Sequence, residues 1–162
     1  MVSNKSKSDL ESCSQWVSEK KLSVYVRKTK CILFGSQRNL NQVKKFKIEY
    51  NGFTIMGKQT VKYLGVILDQ TLSGEQMTKS VLSKITKKLK FMYRYHHCLK
   101  TTARKNLCSA LLQGHFDYCC ASWFLNLSSR LKRKLQTSQN NIVRFIIGLP
   151  TNGGQSELDS IN

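Results

Sequence analysis

Apolar positions follow two different rhythms along the chain. Up to about residue 74 they come in short clusters of β-branched and aromatic residues, which favours strands. From residue 76 onward they recur every three or four positions, the spacing of one face of an α-helix. The order predicts an α+β fold, in which one helix and a small antiparallel β part precede an α-helical bundle.

The densest apolar run covers residues 58–69, and we predict that it forms one buried strand. Gly65, in its middle, would mark a bulge or the close approach of another backbone or a ligand. Shorter strands are predicted at residues 22–26 and 30–35, with a polar loop over residues 35–43.

Two turn and cap signals complete the N-terminal part. Asn51-Gly52 predicts a hairpin between strands at residues 45–50 and 53–56, because both turn residues tolerate positive φ. Residues 1–8 are interpreted as a loop, and Ser8 or Asp9 would cap a helix ending at Glu19 or Lys20.

Three basic helices are predicted after the β part. The first covers residues 76–97, the second runs from Thr101 or Thr102 to about residue 115, and the third starts at Ser128 or Ser129. The aromatic, cysteine-rich segment 116–124 should be buried, and Gly148-Leu149-Pro150 should end the last helix. The predicted division is a β-containing part at residues 1–74, a helical basic part at 75–150 and a frayed tail at 151–162.

The charge balance indicates a polyanionic partner. The chain has 27 Lys and Arg against 9 Asp and Glu, a net charge of +18, and between residues 76 and 156 Asp117 is the one acid against 14 bases. Nucleic acid is the favoured partner, and a basic surface that binds nothing is the alternative. No base-reading or stacking motif is visible in the sequence, so we expect salt-sensitive contacts to the phosphate backbone. The candidate backbone contacts are Lys84, Lys87, Lys88, Arg94, Arg130, Arg133 and Lys134.

The acids do not predict a catalytic centre. Metal-assisted nucleotidyl transfer needs two or more converging carboxylates, and the nine acids form no such pair in the sequence. Asp69 is expected to form a turn. We therefore predict no metal ligands and no cofactor in this chain.

Six cysteines without a secretory signal predict reduced thiols and an intracellular location. A zinc site built from His96, His97, Cys98, His115 and Cys119 matches no common spacing, and ordinary core or surface roles are favoured. No apolar run approaches the roughly 20 residues of a membrane span.

Two segments carry a family resemblance. Residues 22–36 (LSVYVRKTKCILFGS) and 61–74 (VKYLGVILDQTLSG) resemble the fourth and fifth polymerase motifs of reverse transcriptases from non-LTR retrotransposons of the jockey-like and long-interspersed-element type. Residues 115–146 are similar to the thumb of that family, and residues 14–23 to its linking helix. Together the motifs span residues 2–149 in the family's order.

The resemblance implies a partial polymerase palm at residues 1–74 followed by a thumb-like helical part. Tyr63, Leu64 and Gly65 match the primer grip, where a side chain at Gly65 would block a nucleic-acid strand. Lys28, in its KTK context, matches a lysine proposed to protonate the leaving pyrophosphate, and a surface lysine in a turn is the alternative. Tyr25 departs from the asparagine usual in the family.

The family's catalytic aspartates, which bind Mg²⁺, have no counterpart in the chain. The resemblance thus implies an inactive fragment of an RNA-directed DNA polymerase that holds an RNA/DNA hybrid, with a missing N-terminal polymerase half as a further partner. The alternative function is a non-enzymatic basic nucleic-acid-binding module of different origin. A third interpretation is a relic that folds poorly, because a missing half-palm would leave apolar sheet surface uncovered.

Overall fold

The computed structural model of the chain describes residues 2–43 and 45–150, with side chains from residue 8 onward. The chain divides into unit 1 (Met1–Thr71) and unit 2 (Leu72–Asn162). Helices combine with two antiparallel hairpins, so the fold is of the mixed α+β class.

Unit 1 holds both hairpins and two helices. Helix α1 covers Val2–Glu19, a single 3₁₀ turn covers Val26–Lys28, and α2 covers Gln37–Gln42. The strands are β1 (Lys47–Tyr50), β2 (Phe53–Met56), β3 (Thr60–Tyr63) and β4 (Val66–Asp69). The described strands form two separate two-stranded sheets, β1 with β2 and β3 with β4.

The first hairpin confirms the Asn51-Gly52 prediction. Tyr50 pairs with Phe53, and the two turn residues have φ of 46° and 76°. Positive φ at both central residues matches the right-handed twist of the flanking strands, which is why this dipeptide favours a tight hairpin.

The single strand predicted at residues 58–69 is wrong, because the segment folds back on itself as β3 and β4. Tyr63 pairs with Val66, and Leu64 and Gly65 form the two-residue turn with φ of 45° and 85°. Gly65 therefore has a conformational role in the turn rather than marking a bulge within a strand. Leucine rarely adopts positive φ, so the residue type at position 64 does not predict a turn.

Four other expectations for unit 1 are also wrong. Residues 22–26 form no strand, because local bonds satisfy this backbone: Lys28 N and Thr29 N both donate to Tyr25 O. Residues 30–35 form no strand: Cys31 makes an isolated bridge with Gly57, and Gly35 N donates to Gln70 O at 3.0 Å. The loop predicted over residues 35–43 contains α2, because Ser36 Oγ caps it by accepting from Asn39 N at 3.3 Å.

Helix α1 begins at Val2 instead of after residue 8. No Gly or Pro interrupts the preceding residues, and Lys and Ser tolerate helical backbone, so the cap at Ser8 or Asp9 is bypassed.

Unit 2 consists of helices. Helix α3 covers Glu75–Arg94, a 3₁₀ turn His96–Cys98, and α4 Thr101–Cys108. A π-helical segment at Ser109–Gln113 leads into two short helices and the long α7. These are α5 (Gly114–Asp117), α6 (Cys120–Trp123) and α7 (Ser129–Ile147).

The helical expectations for unit 2 are confirmed within a few residues at the ends. Helix α3 buries an apolar stripe, and α7 ends at Gly148, whose φ of 81° forms the C-cap. The predicted tail at residues 151–162 lies outside the described residues. The buried core of unit 2 is formed by Met77, Val81, Ile85, Leu89, Met92, Cys108, Leu112, Phe116, Trp123, Leu127, Leu135 and Phe145.

Segment 116–124 is buried only in part. Phe116 and Trp123 belong to the core, but Tyr118 and Phe124 are exposed. Trp123 Nε1 donates to Tyr118 O at 3.1 Å, which turns the chain between α5 and α6. Short helices face solvent on one side, so a dense aromatic run cannot be buried throughout.

Candidate nucleic-acid interface

The tip of the second hairpin presents two large side chains to solvent. Tyr63 and Leu64 are 64% and 74% exposed, and the turn holds Leu64 at positive φ. A non-glycine residue in this conformation costs about 1–2 kcal/mol. An exposed leucine in this conformation contributes little to the packing of unit 1.

Lys28 lies at the end of the 3₁₀ turn and is exposed. Its Nζ lies 5.3 Å from the centroid of the Tyr25 ring, within cation–π range. After the turn, Cys31 O accepts a hydrogen bond at 2.9 Å from Lys58 N, which lies in the connection between β2 and β3. The Tyr25 ring lies beside the Lys28 side chain.

Helix α3 carries four of the candidate cations. Lys84, Lys87 and Arg94 are exposed, whereas Lys88 is half-buried and its Nζ donates to Leu111 O at 3.1 Å. Lys87 and Lys88 follow Lys84 by three and four positions, so both are neighbours of Lys84 on the helix surface. The structure thus brings three cations together and gives one of them an additional structural bond.

Helix α7 carries cations at its N-terminal end. Arg130, Arg133 and Lys134 are exposed there, and no acid lies in the first turn. The N-terminus of a helix is the positive end of its dipole, where cations are unfavourable and anions are favoured. Lys132, which was not among the candidates, belongs to the same group and lies with Nζ 5.4 Å from the Phe124 ring centroid. The run of basic residues at positions 130–134 (RLKRK) was the sequence signal for Lys132.

The pKa of His115 is affected by two lysines of α3. Its Nε2 is buried and has no hydrogen-bond partner among the described residues. Burial lowers the pKa of His115, and the positive charges of Lys88 and Lys84 lower it further. These two lysines therefore act on a common region of unit 2.

The acids do not fit a two-metal polymerase site. Asp69 Oδ1 accepts from Thr71 N at 3.1 Å and from Thr71 Oγ1 at 2.8 Å, the turn role expected for it. Glu75 pairs with Lys79 within α3. Across residues 2–43 and 45–150, no three or more His, Cys, Asp or Glu side chains form a group that could hold a metal ion. The acids of the described residues therefore do not fit a two-metal Mg²⁺ centre.

Exposed aromatic rings on α3 were missed in the sequence. Phe91 and Tyr95 are 59% and 52% exposed, and their ring centroids are 5.3 Å apart. The i, i+4 spacing of Phe91 and Tyr95 was the sequence signal for this ring contact.

Comparisons with known proteins found no match to a family model, a curated protein or a solved structure. Within the described part of the chain, no helix combines the length and apolar content needed to cross a bilayer.

Proposed function

We propose that the chain holds nucleic acid through its phosphates, as a palm-and-thumb fragment of a non-LTR retrotransposon reverse transcriptase that does not itself join nucleotides. The observation that carries this proposal is the charge arrangement of unit 2. Cations line α3 and collect at the positive end of α7, with one acid between residues 76 and 156. Cations in this unfavourable position are explained if a polyanion neutralises them on binding.

The second hairpin fits a primer grip in this proposal. Tyr63 and Leu64, which are exposed, would contact the primer end of an RNA/DNA hybrid. Gly65, which has no side chain, would let the strand approach the turn. Lys28 would reach toward the reacting phosphates only when a further polymerase half supplies the aspartates and their Mg²⁺. That half is the proposed protein partner.

One observation favours a second candidate, the basic module of different origin. Twelve of the fourteen described buried hydrophobic side chains lie in unit 2, as do all the candidate phosphate contacts. If residues 72–162 alone bind the hybrid as tightly as the whole chain does, this candidate replaces the first.

Binding to a fluorescent RNA/DNA hybrid at about 50 and 200 mM salt tests phosphate contact. Replacing Arg130, Arg133 and Lys134 by Gln should weaken binding and reduce the salt slope by about two to three. A charge-matched control replaces Lys20, Arg38 and Lys45, three exposed cations of unit 1. Equal losses in both triple variants would show non-specific attraction.

A primer-extension assay with Mg²⁺ or Mn²⁺ tests the absence of catalysis. We expect no template-dependent product from the chain alone, because the described residues form no group of three or more side chains that could hold a metal ion. Synthesis that follows the template would contradict the proposal even if the binding results supported it.

A further inference from the structure

The C-terminal end of α3 carries an aromatic pair that the core does not use. The rings of Phe91 and Tyr95 contact each other at an interplanar angle of 59°. The inward ring at this level is Tyr93, which packs edge-on against Phe145 with centroids 5.0 Å apart. Phe91 and Tyr95 remain more than half exposed, although burying an aromatic ring is strongly favourable.

Cations surround this pair. Lys87 and Lys88 precede Phe91 by four and three positions, and Arg94 follows it by three, so all three are its neighbours on the helix surface. No acid lies on α3 after Glu75. A ligand that covers these rings therefore meets positive charge along the same face.

The rings continue past the end of the helix. His96 and His97 form the next 3₁₀ turn, with their ring centroids 5.8 Å apart and nearly perpendicular. His96 Nδ1 lies 2.6 Å from Tyr93 O, which fixes the first of these rings on the helix end. Flat surfaces and cations together match a polymer with flat bases and anionic phosphates.

We propose that Phe91 and Tyr95 form a platform on which the bases of a single-stranded nucleic acid stack, while Lys87 and Arg94 contact the adjoining phosphates. The inference rests on the proposed function and extends it from phosphate contacts to base contacts. Paired bases within a duplex do not expose their faces, so the ligand is an unpaired segment. The flanking charge favours this ligand over an apolar protein surface.

The test compares two fluorescent single strands of about 12 nucleotides with the same number of phosphates, one of thymidine nucleotides and one abasic throughout. The full chain is titrated with each strand by fluorescence anisotropy. Phe91→Ala should weaken binding of the thymidine strand roughly tenfold and leave binding of the abasic strand unchanged. Phe91→Leu should show the same loss, because it keeps an apolar side chain without a ring, and Phe91→Trp should retain the affinity.

Phe53→Ala is the matched control, because Phe53 is also 59% exposed but lies on β2 of unit 1. Losses of equal size on both strands, or full affinity in Phe91→Leu, would overturn the stacking platform. Salt-dependent binding of both strands with no effect of any Phe91 variant would overturn this inference alone. Failure of the unaltered chain to bind either strand would overturn this inference, and failure to bind the RNA/DNA hybrid as well would overturn the proposed function.

Discussion

Units 1 and 2 differ in how many apolar side chains they bury. Ile55 and Val66 are the buried hydrophobic residues described in unit 1, whereas unit 2 buries twelve. Each unit also exposes ten large apolar side chains among its described residues, so unit 1 exposes five times as many as it buries. The sheets of unit 1 are two-stranded hairpins, which are marginally stable in water on their own. The exposed large apolar residues of unit 1 are Trp16, Leu22, Val24, Tyr25, Phe34, Val43, Phe53, Met56, Tyr63 and Leu64.

The two units therefore differ in how far their own residues can cover their apolar surface. Unit 2 closes a core with its own residues and exposes most of its cations to solvent. Unit 1 leaves apolar surface and sheet edges without enough residues of its own to cover them. Unit 1 is thus the unit whose stability should depend on a partner.

Separating the units is the strongest challenge to this comparison. Residues 72–162 alone should unfold in one cooperative urea transition, because the core of unit 2 lies within that stretch. Residues 1–71 alone should show no cooperative transition. Circular dichroism during urea titration measures both fragments, and a cooperative transition in the shorter fragment would contradict the comparison.

Two separate glycine-to-alanine substitutions test the packing of unit 2. Gly74 has φ of 69° and caps α3, and a Cβ there would lie 2.5 Å from Trp123 O. Gly74→Ala should therefore lower the free energy of unfolding by roughly 3 kcal/mol, from backbone strain and overpacking. Urea denaturation of the full chain measures the loss.

Gly114 provides the control for that substitution. A Cβ at Gly114 meets no atom within 4 Å and the backbone is helical. Gly114→Ala should raise the free energy of unfolding by about 0.5–1 kcal/mol, since alanine favours helix over glycine. Similar effects at the two glycines would mean that Gly74 is not tightly packed.

The same contrast explains which elements the sequence could predict. The periodicities of α3 and α7 extend over 20 and 19 residues, so many positions support one helical face. Every strand has four residues, and its existence depends on a partner that the local pattern does not reveal. Asn51-Gly52 predicted the first hairpin because both residues favour the turn. The second hairpin was not predicted, because Leu64 adopts positive φ against the preference of leucine.

The candidate site shows a similar limit. The charge run near the start of α7 could be found by counting, but the bond from Lys88 Nζ to Leu111 O depends on tertiary packing. The exposure of Phe91 and Tyr95 likewise could not be known from apolar character alone. It follows from Tyr93 and Met92 taking the inward positions.

Arg104 gives a smaller test of how unit 2 is held together. Its Nε donates to Leu99 O at 3.0 Å, and one terminal nitrogen lies within 3.5 Å of Phe145 O and Ile146 O at the negative end of α7. Arg104→Ala should lower the free energy of unfolding by about 2 kcal/mol. Lys105→Ala, which removes an exposed cation from the same helix, should change it by less than about 0.5 kcal/mol.

Thermal and urea unfolding distinguish these two variants. If both substitutions lowered the free energy of unfolding equally, the loss of one positive charge would explain the effect. The hydrogen bonds from Arg104 to the carbonyl oxygens would then make no additional contribution. If the Arg104 loss alone disappeared in high salt, the helix dipole would dominate over hydrogen bonding.

The smallest expected effect concerns alkaline pH and the core of unit 2. Burial raises the pKa of the Cys108 thiol from 9.0 to about 11, because a thiolate is poorly solvated there. Between these values the unfolded chain loses the proton while the folded chain keeps it, so stability falls as the pH rises. From pH 8 to pH 10 the loss should reach about 1.4 kcal/mol in the unaltered chain.

Cys108→Ala removes this pH-dependent loss, although it lowers stability at every pH by leaving a small cavity. The exposed Cys98 supplies the control, since Cys98→Ser should leave the pH dependence unchanged. Urea denaturation at a series of pH values measures the free energy of unfolding of each variant. Groups that the variants share contribute equally to each, so the difference between variants isolates the substituted thiol. An unaltered slope in Cys108→Ala would show that water reaches this thiol, and unit 2 would then be less tightly closed than its contrast with unit 1 requires.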